Sequence, residues 1–170
     1  MKNIVLTGFM GTGKTEVGRI LSRKLGYVLV DADTEIEKEQ GMTITEIFKQ
    51  YGEPKFREIE ADVIRRLSEM GNAVISTGGG AVLRQENMDN LRKNGVVICL
   101  TASPETILKR TSNNNDRPLL QVEDPLKKIK ELLEFRKPYY EKADIMIDTE
   151  GKSPIEVAEE IIEKTGIKKD

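Results

Sequence analysis

Gly8-Phe9-Met10-Gly11-Thr12-Gly13-Lys14-Thr15 follows the apolar run Ile4-Val5-Leu6 and leads into Val17, Ile20, Leu21 and Leu25 at helical spacing. The stretch reads as strand, glycine turn and helix. Glycines at 8, 11 and 13 open backbone conformations closed to residues with a Cβ, so successive N–H groups can converge on an anion. The helix that begins near Lys14 adds the positive end of its dipole at the same place. Lys14 is a point charge suited to β- and γ-phosphates, and the Thr15 hydroxyl is a hard oxygen ligand suited to Mg²⁺. The spacing therefore points to a nucleoside triphosphate with magnesium. It leaves open what receives the phosphate.

The rest of the chain narrows the chemistry. Its 170 residues suit one domain with a single core. With 29 acidic and 27 basic residues there is no global positive field for nucleic acid, so local cations must bind any anion. The absence of histidine removes Ser-His-Asp triads, imidazole metal sites and a histidine base. Catalysis must rest on carboxylates, lysine, arginine and metal. The single cysteine, Cys99, lies in the apolar run Val96 to Leu100 and reads as core packing, which fits a reducing, cytoplasmic setting. No apolar run approaches the ~20 residues needed to span a bilayer, and no membrane partner is expected.

Apolar runs at Ile4 to Leu6, Val28 to Val30, Ala73 to Ile75, Val96 to Leu100 and Ile145 to Ile147 are separated by helical patterns. Such alternation implies an α/β fold, a parallel sheet covered on both faces, with ligands at the carboxyl ends of its strands. The informative residues should follow the runs. Asp31-Ala32-Asp33 follows the second and can hold a magnesium-bound water or accept from hydroxyls; alternatively, Asp33 or Thr34 caps the next helix. Thr43-x-x-Glu46 reads as a capping box. Arg57 lies one turn from Glu53 and Glu60, which on its own reads as a surface ion-pair ladder.

The third run ends in Ser76-Thr77-Gly78-Gly79-Gly80, whose bare backbone can approach a small polar ligand; Thr77 can also orient a metal-bound water. Ser103-Pro104 opens a helix carrying Ile107, Leu108 and Arg110. From Thr111 to Asp124 the pattern dissolves around Arg117, either a closing lid that delivers a cation or a solvated loop. A helix from Pro125 carries Arg136, which also reads as a snorkelling surface cation, and precedes Pro138-Tyr139-Tyr140. Ser153 caps the closing helix, which runs to Gly166.

Taken together, Gly8 to Thr15, Asp31-Ala-Asp33, Gly52-Glu53 with Phe56-Arg57, Gly78-Gly79-Gly80, Arg117-Pro-Leu-Leu120 and Arg136-Lys-Pro-Tyr-Tyr140 resemble shikimate kinase over essentially the full length. The resemblance implies a three-layer αβα fold of the P-loop nucleoside-monophosphate-kinase type, built on a five-stranded parallel sheet. One kinase domain over 1–170 is expected, with the P-loop at 8–15, an acceptor-binding segment at about 31–62 and a lid at about 111–124. It also implies transfer of the γ-phosphoryl of ATP to the 3-hydroxyl of shikimate, with Mg²⁺ as cofactor. By resemblance Arg57 and Arg136 hold the acceptor carboxylate, Asp33 accepts from ring hydroxyls and is the nearest candidate base, and Gly79 and Gly80 present N–H groups. Gly11, Thr12, Gly13 and Lys14 take the phosphates, Thr15 and Asp31 the metal. Arg117 swings in with the lid, and Arg110 lies against the adenine. Lys14, Asp33 and Arg117 are the expected catalytic set.

Glu16 stands where the family commonly has a small hydroxyl residue, so only its backbone N–H is expected to serve ATP. Lys152 is assigned to the adenine side. A monomer is expected. The competing readings are another small-molecule kinase on this fold, for a sugar acid or a nucleoside monophosphate, and a nucleotide-dependent switch. Against the switch, Asn113-Asn-Asn-Asp116 lacks the lysine of a guanine-reading loop and follows a helix.

Overall fold

The computed structural model describes residues 2–112 and 120–169. Five strands, β1 (Asn3–Thr7), β2 (Val28–Asp31), β3 (Ala73–Ser76), β4 (Gly95–Thr101) and β5 (Ile145–Asp148), form one sheet in the order β2-β3-β1-β4-β5. Every pairing is parallel. The helices are α1 (Lys14–Leu25), α2 (Ala32–Gln40), α3 (Ile44–Tyr51), α4 (Glu53–Ser68), α5 (Gln85–Lys93), α6 (Pro104–Thr111), α7 (Pro125–Tyr140) and α8 (Pro154–Thr165).

Side-chain alternation along the central strands divides the core. Ile4, Leu6, Val74, Ile98 and Leu100 face Val17 and Leu21 of α1 and Val157 and Ile161 of α8. Val5, Ile75, Val97 and Cys99 face Ile64 of α4, Met88 and Leu91 of α5, Ile107 of α6 and Ile129 of α7. The result is the three-layer arrangement expected of a parallel sheet buried on both sides. A smaller cluster of Ile36, Ile47, Phe56 and Val63 ties α2, α3 and α4 together. The Thr43–Glu46 capping box is formed.

Three local readings change. The cap of α2 is Asp31 and not Asp33 or Thr34: its Oδ1 accepts from Thr34 N at 2.9 Å. That leaves Asp33 inside the first turn, and its carboxylate lies against Gly78. Helix α7 runs through Pro138 to Tyr140 instead of stopping before it. Proline's φ is compatible with a helix, and the hydrogen bond it forfeits belongs to the carbonyl of Glu134, an exposed residue that water can serve. Arg136, read alternatively as a surface cation, is only 2% exposed.

Candidate active site

In register, Asp31 pairs with Ser76 and Leu6 pairs with Ser76, so β1, β2 and β3 end side by side. The glycine loop, Asp31–Asp33 and Gly78–Gly80 therefore leave the same edge of the sheet. This is the carboxyl edge, beside the point where the chain switches from β3 on one side of β1 to β4 on the other.

The glycine loop depends on backbone no other residue supplies. Gly8 has φ +129°, and a Cβ there would lie 2.3 Å from the Leu100 carbonyl oxygen. Thr12 is buried, its hydroxyl donating to Phe9 O at 2.8 Å and its amide to the same oxygen at 3.3 Å, which closes the turn from inside. Lys14 Nζ donates to Gly8 O at 2.6 Å and Phe9 O at 2.9 Å, folding the ammonium across the mouth of the loop. Gly13 caps α1 in a left-handed conformation, and Thr15 is exposed in its first turn. Glu16 turns outward to Arg19 at 2.6 Å, and its side chain is 59% exposed. Arg110 donates to Gly11 O at 3.1 Å, which places α6 beside the loop. Lys152 pairs with Glu160 of α8 at 2.8 Å.

The three consecutive glycines each make room for a different functional group. A methyl group at Gly78 would come within 2.9 Å of Asp33 Oδ1 and 3.3 Å of Glu60 Oε2. One at Gly79 would meet Arg136 Nη1 at 3.1 Å, and one at Gly80 would meet Arg57 Nη2 at 2.3 Å. Arg57, Arg136 and Asp33 thus converge on one backbone loop from α4, α7 and α2. Each guanidinium also lies over an aromatic ring, Arg57 5.0 Å from the centroid of Phe56 and Arg136 5.5 Å from that of Phe9. Such stacking holds an arginine in place while leaving its N–H edge for a planar anion.

Two residues of this cluster, Glu60 and Tyr140, were given no site role from the sequence. Glu60 is 1% exposed and accepts from Arg57 Nη1 at 3.0 Å, whereas Glu53, on the same arginine at 3.2 Å, is exposed. The ion-pair ladder exists, but its inner rung is buried. Burial outweighs the attraction of Arg57 and pushes the Glu60 carboxyl up to about 7. The Arg57 guanidinium is itself raised, its two carboxylate partners outweighing burial. Tyr140 is buried as well, and burial pushes its phenol up to about 12.

For a divalent cation the site offers the Thr15 hydroxyl and the Asp31 carboxylate, the latter fixed at the tip of β2 by its cap bond. Among the described residues no group of three or more His, Cys, Asp or Glu could hold a metal. A hydroxyl and one carboxylate suit magnesium, which keeps waters and takes its remaining ligands from phosphates. Thr77, considered above for a metal-bound water, is buried and donates to Leu6 O at 3.1 Å. Arg117, the expected lid cation, lies outside the described residues.

Known proteins match this arrangement. The family model for shikimate kinase covers residues 10–165. The shikimate kinase of Thermodesulfovibrio yellowstonii is 56% identical over 164 residues, which is 96% of this chain and 95% of that protein. That of Caldanaerobacter subterraneus subsp. tengcongensis is 53% identical over 162 residues, 95% of each. Among solved structures, shikimate kinase from Acinetobacter baumannii in complex with shikimate superposes with a TM-score of 0.94 at 40% identity, covering 97% of this chain and 93% of that one. A match running from within the glycine loop to the end of α8, at such identity, makes this chain a member of the shikimate kinase family.

Proposed function

We propose that this chain transfers the γ-phosphoryl group of ATP to the 3-hydroxyl of shikimate, releasing ADP. The observation that carries this reading is the glycine triplet, against which Asp33, Arg136 and Arg57 are packed in succession at the sheet edge that also bears the phosphate-binding loop. Two guanidiniums suit the acceptor's one carboxylate, and Asp33 suits its hydroxyls.

Gly11, Thr12, Gly13 and the backbone N–H of Glu16 take the phosphates. Lys14 leaves the Gly8 and Phe9 carbonyls to follow the charge that accumulates on the transferring group. Thr15, with Asp31 acting through water, would hold Mg²⁺. Bound there, the ion would neutralise the phosphates and orient the γ-phosphoryl for in-line displacement. Arg110 and Lys152 serve the adenine side. Arg117, on the lid at about 111–124, adds a cation when both substrates are present, which limits hydrolysis of ATP alone. Asp33 takes the hydroxyl proton, a modest task in a loose transition state. The acceptor segment at about 31–62 belongs to the same single domain. No helix of the described residues is long and apolar enough to cross a membrane. We assign the enzyme to the cytoplasm as a monomer that uses no nucleic acid.

Coupled ADP release across a panel of acceptors, with and without Mg²⁺, tests the reading. Turnover should require shikimate and Mg²⁺ together. A sugar acid or a nucleoside monophosphate as the preferred acceptor would replace the substrate, and shikimate-independent turnover would replace the class.

A further inference from the structure

Arg136 and Tyr140 lie one turn apart on α7, and both are buried. The Tyr140 hydroxyl donates to the Gly79 carbonyl at 2.6 Å and accepts from Arg136 Nη1 at 3.5 Å. One phenol therefore connects a carboxylate-binding cation to the glycine triplet. With its titration displaced to about 12, it keeps its proton at any working pH and remains a donor.

The carbonyl of Gly79 and the N–H of Gly80 belong to the same peptide unit. That unit is trans and planar, so its oxygen and its hydrogen point to opposite sides. Fixing the oxygen fixes the hydrogen. The unit is the centre of a turn closed by Ala81 N donating to Gly78 O at 3.2 Å, and with glycine on both sides such a central peptide can face either way, so an external anchor selects its orientation. Arg57 stacked on the Gly80 α-carbon restrains the loop's position, but among the described contacts it is Tyr140 that bonds to this peptide's oxygen.

We propose that Tyr140 is a positioning residue for the acceptor: its hydroxyl, by holding the Gly79 carbonyl, aims the Gly80 N–H at the bound polyol acid and keys that peptide to Arg136. This rests on the proposed use of the Gly80 N–H by shikimate.

Tyr140→Phe removes the hydroxyl and keeps the ring. The shikimate KM should rise about 5- to 30-fold, the size of one lost oriented hydrogen bond, while the ATP KM and kcat stay within about twofold. Unchanged shikimate KM, or an equal rise in both KM values, overturns the proposal. The amide resonance of Gly80 supplies a second readout that the wild type alone can give. It should move on saturation with shikimate in the wild type, and in Tyr140→Phe it should move less. A wild-type Gly80 amide that stays put while neighbouring resonances shift overturns the proposal even if the variant does not fold. Wild-type protein that binds shikimate at Gly80 yet produces no ADP would sink the kinase reading and leave this one standing.

Discussion

Glu60 shows how one buried carboxyl shapes both the site and the stability of the chain. Its carboxyl is raised from the ordinary 4.5 to about 7, with burial the largest cause and the nearby charge of Asp33 adding to it. The folded chain therefore holds this proton more tightly than the unfolded one, and its contribution is fully present below pH 4.5 and lost as pH rises through about 7. Glu39, Asp62, Glu150 and Glu160 are lowered and act in the opposite sense, in a separate window as pH falls below about 4.5. For Glu150, whose carboxylate is held by the Ser103 backbone, that window extends down to about 2. Thermal midpoints of the ligand-free chain should accordingly decline between about pH 4.5 and 7, and Glu60→Gln should flatten the decline. A midpoint that climbs across this interval, or an unchanged slope in the variant, contradicts the assignment. Glu60 was unreadable in advance because its spacing from Arg57 is that of any helical ion pair. What separates it from Glu53 is burial by the glycine triplet, a tertiary fact. Asp33 and the glycines were legible because they stand directly after apolar runs, where a parallel sheet puts its ligands.

At the scale of elements, the β1–α1 turn is held by backbone shape more than by side chains. Gly8 combines a positive φ with a carbonyl of β4 where a Cβ would go. Gly8→Ala should destabilise the fold by about 2 kcal/mol or more, since strain and a backbone clash add. For a chain of this size that lowers the midpoint by roughly 4–8 °C or more. The ATP KM should rise with it, because Gly8 opens the loop proposed to take the phosphates. Calorimetry showing no loss of stability would mean the loop has an alternative conformation. This element was readable from spacing alone, since only glycine tolerates such backbone. Helix α7 was not: Pro138 argued for a stop, but the carbonyl it orphans belongs to an exposed residue and can be hydrated, so the helix continues and delivers Tyr140 to Gly79. The cap of α2 was misread because Asp31, Asp33 and Thr34 are all capping residue types, and only the fold selects Asp31, two residues before Asp33.

Across the whole molecule, strand order decides the function. The order β2-β3-β1-β4-β5 puts three chain segments far apart in sequence at adjacent strand tips, and α4 and α7 reach the same loop from outside the sheet. Alternation of strands and helices announced a parallel sheet, but no local pattern specifies which strands are neighbours. The resemblance to a known family, carried by the joint set of motifs, gave the fold type and the number of strands; the order itself comes from the structure. With a net charge of −2 the chain has no general attraction for anions. In the function proposed above, phosphate and carboxylate recognition among the described residues falls to Lys14, Arg57 and Arg136, each fixed by neighbours it touches. In the proposed reaction these groups hold ATP and a polyol acid so that one ring oxygen meets the terminal phosphorus. Phosphorus–proton correlation spectroscopy of the product tests this most directly. A single phosphomonoester is expected, its phosphorus coupled to the ring proton at C3 of shikimate and formed in step with ADP; phosphorus on another hydroxyl, or inorganic phosphate released whether or not shikimate is present, would contradict transfer to the 3-hydroxyl.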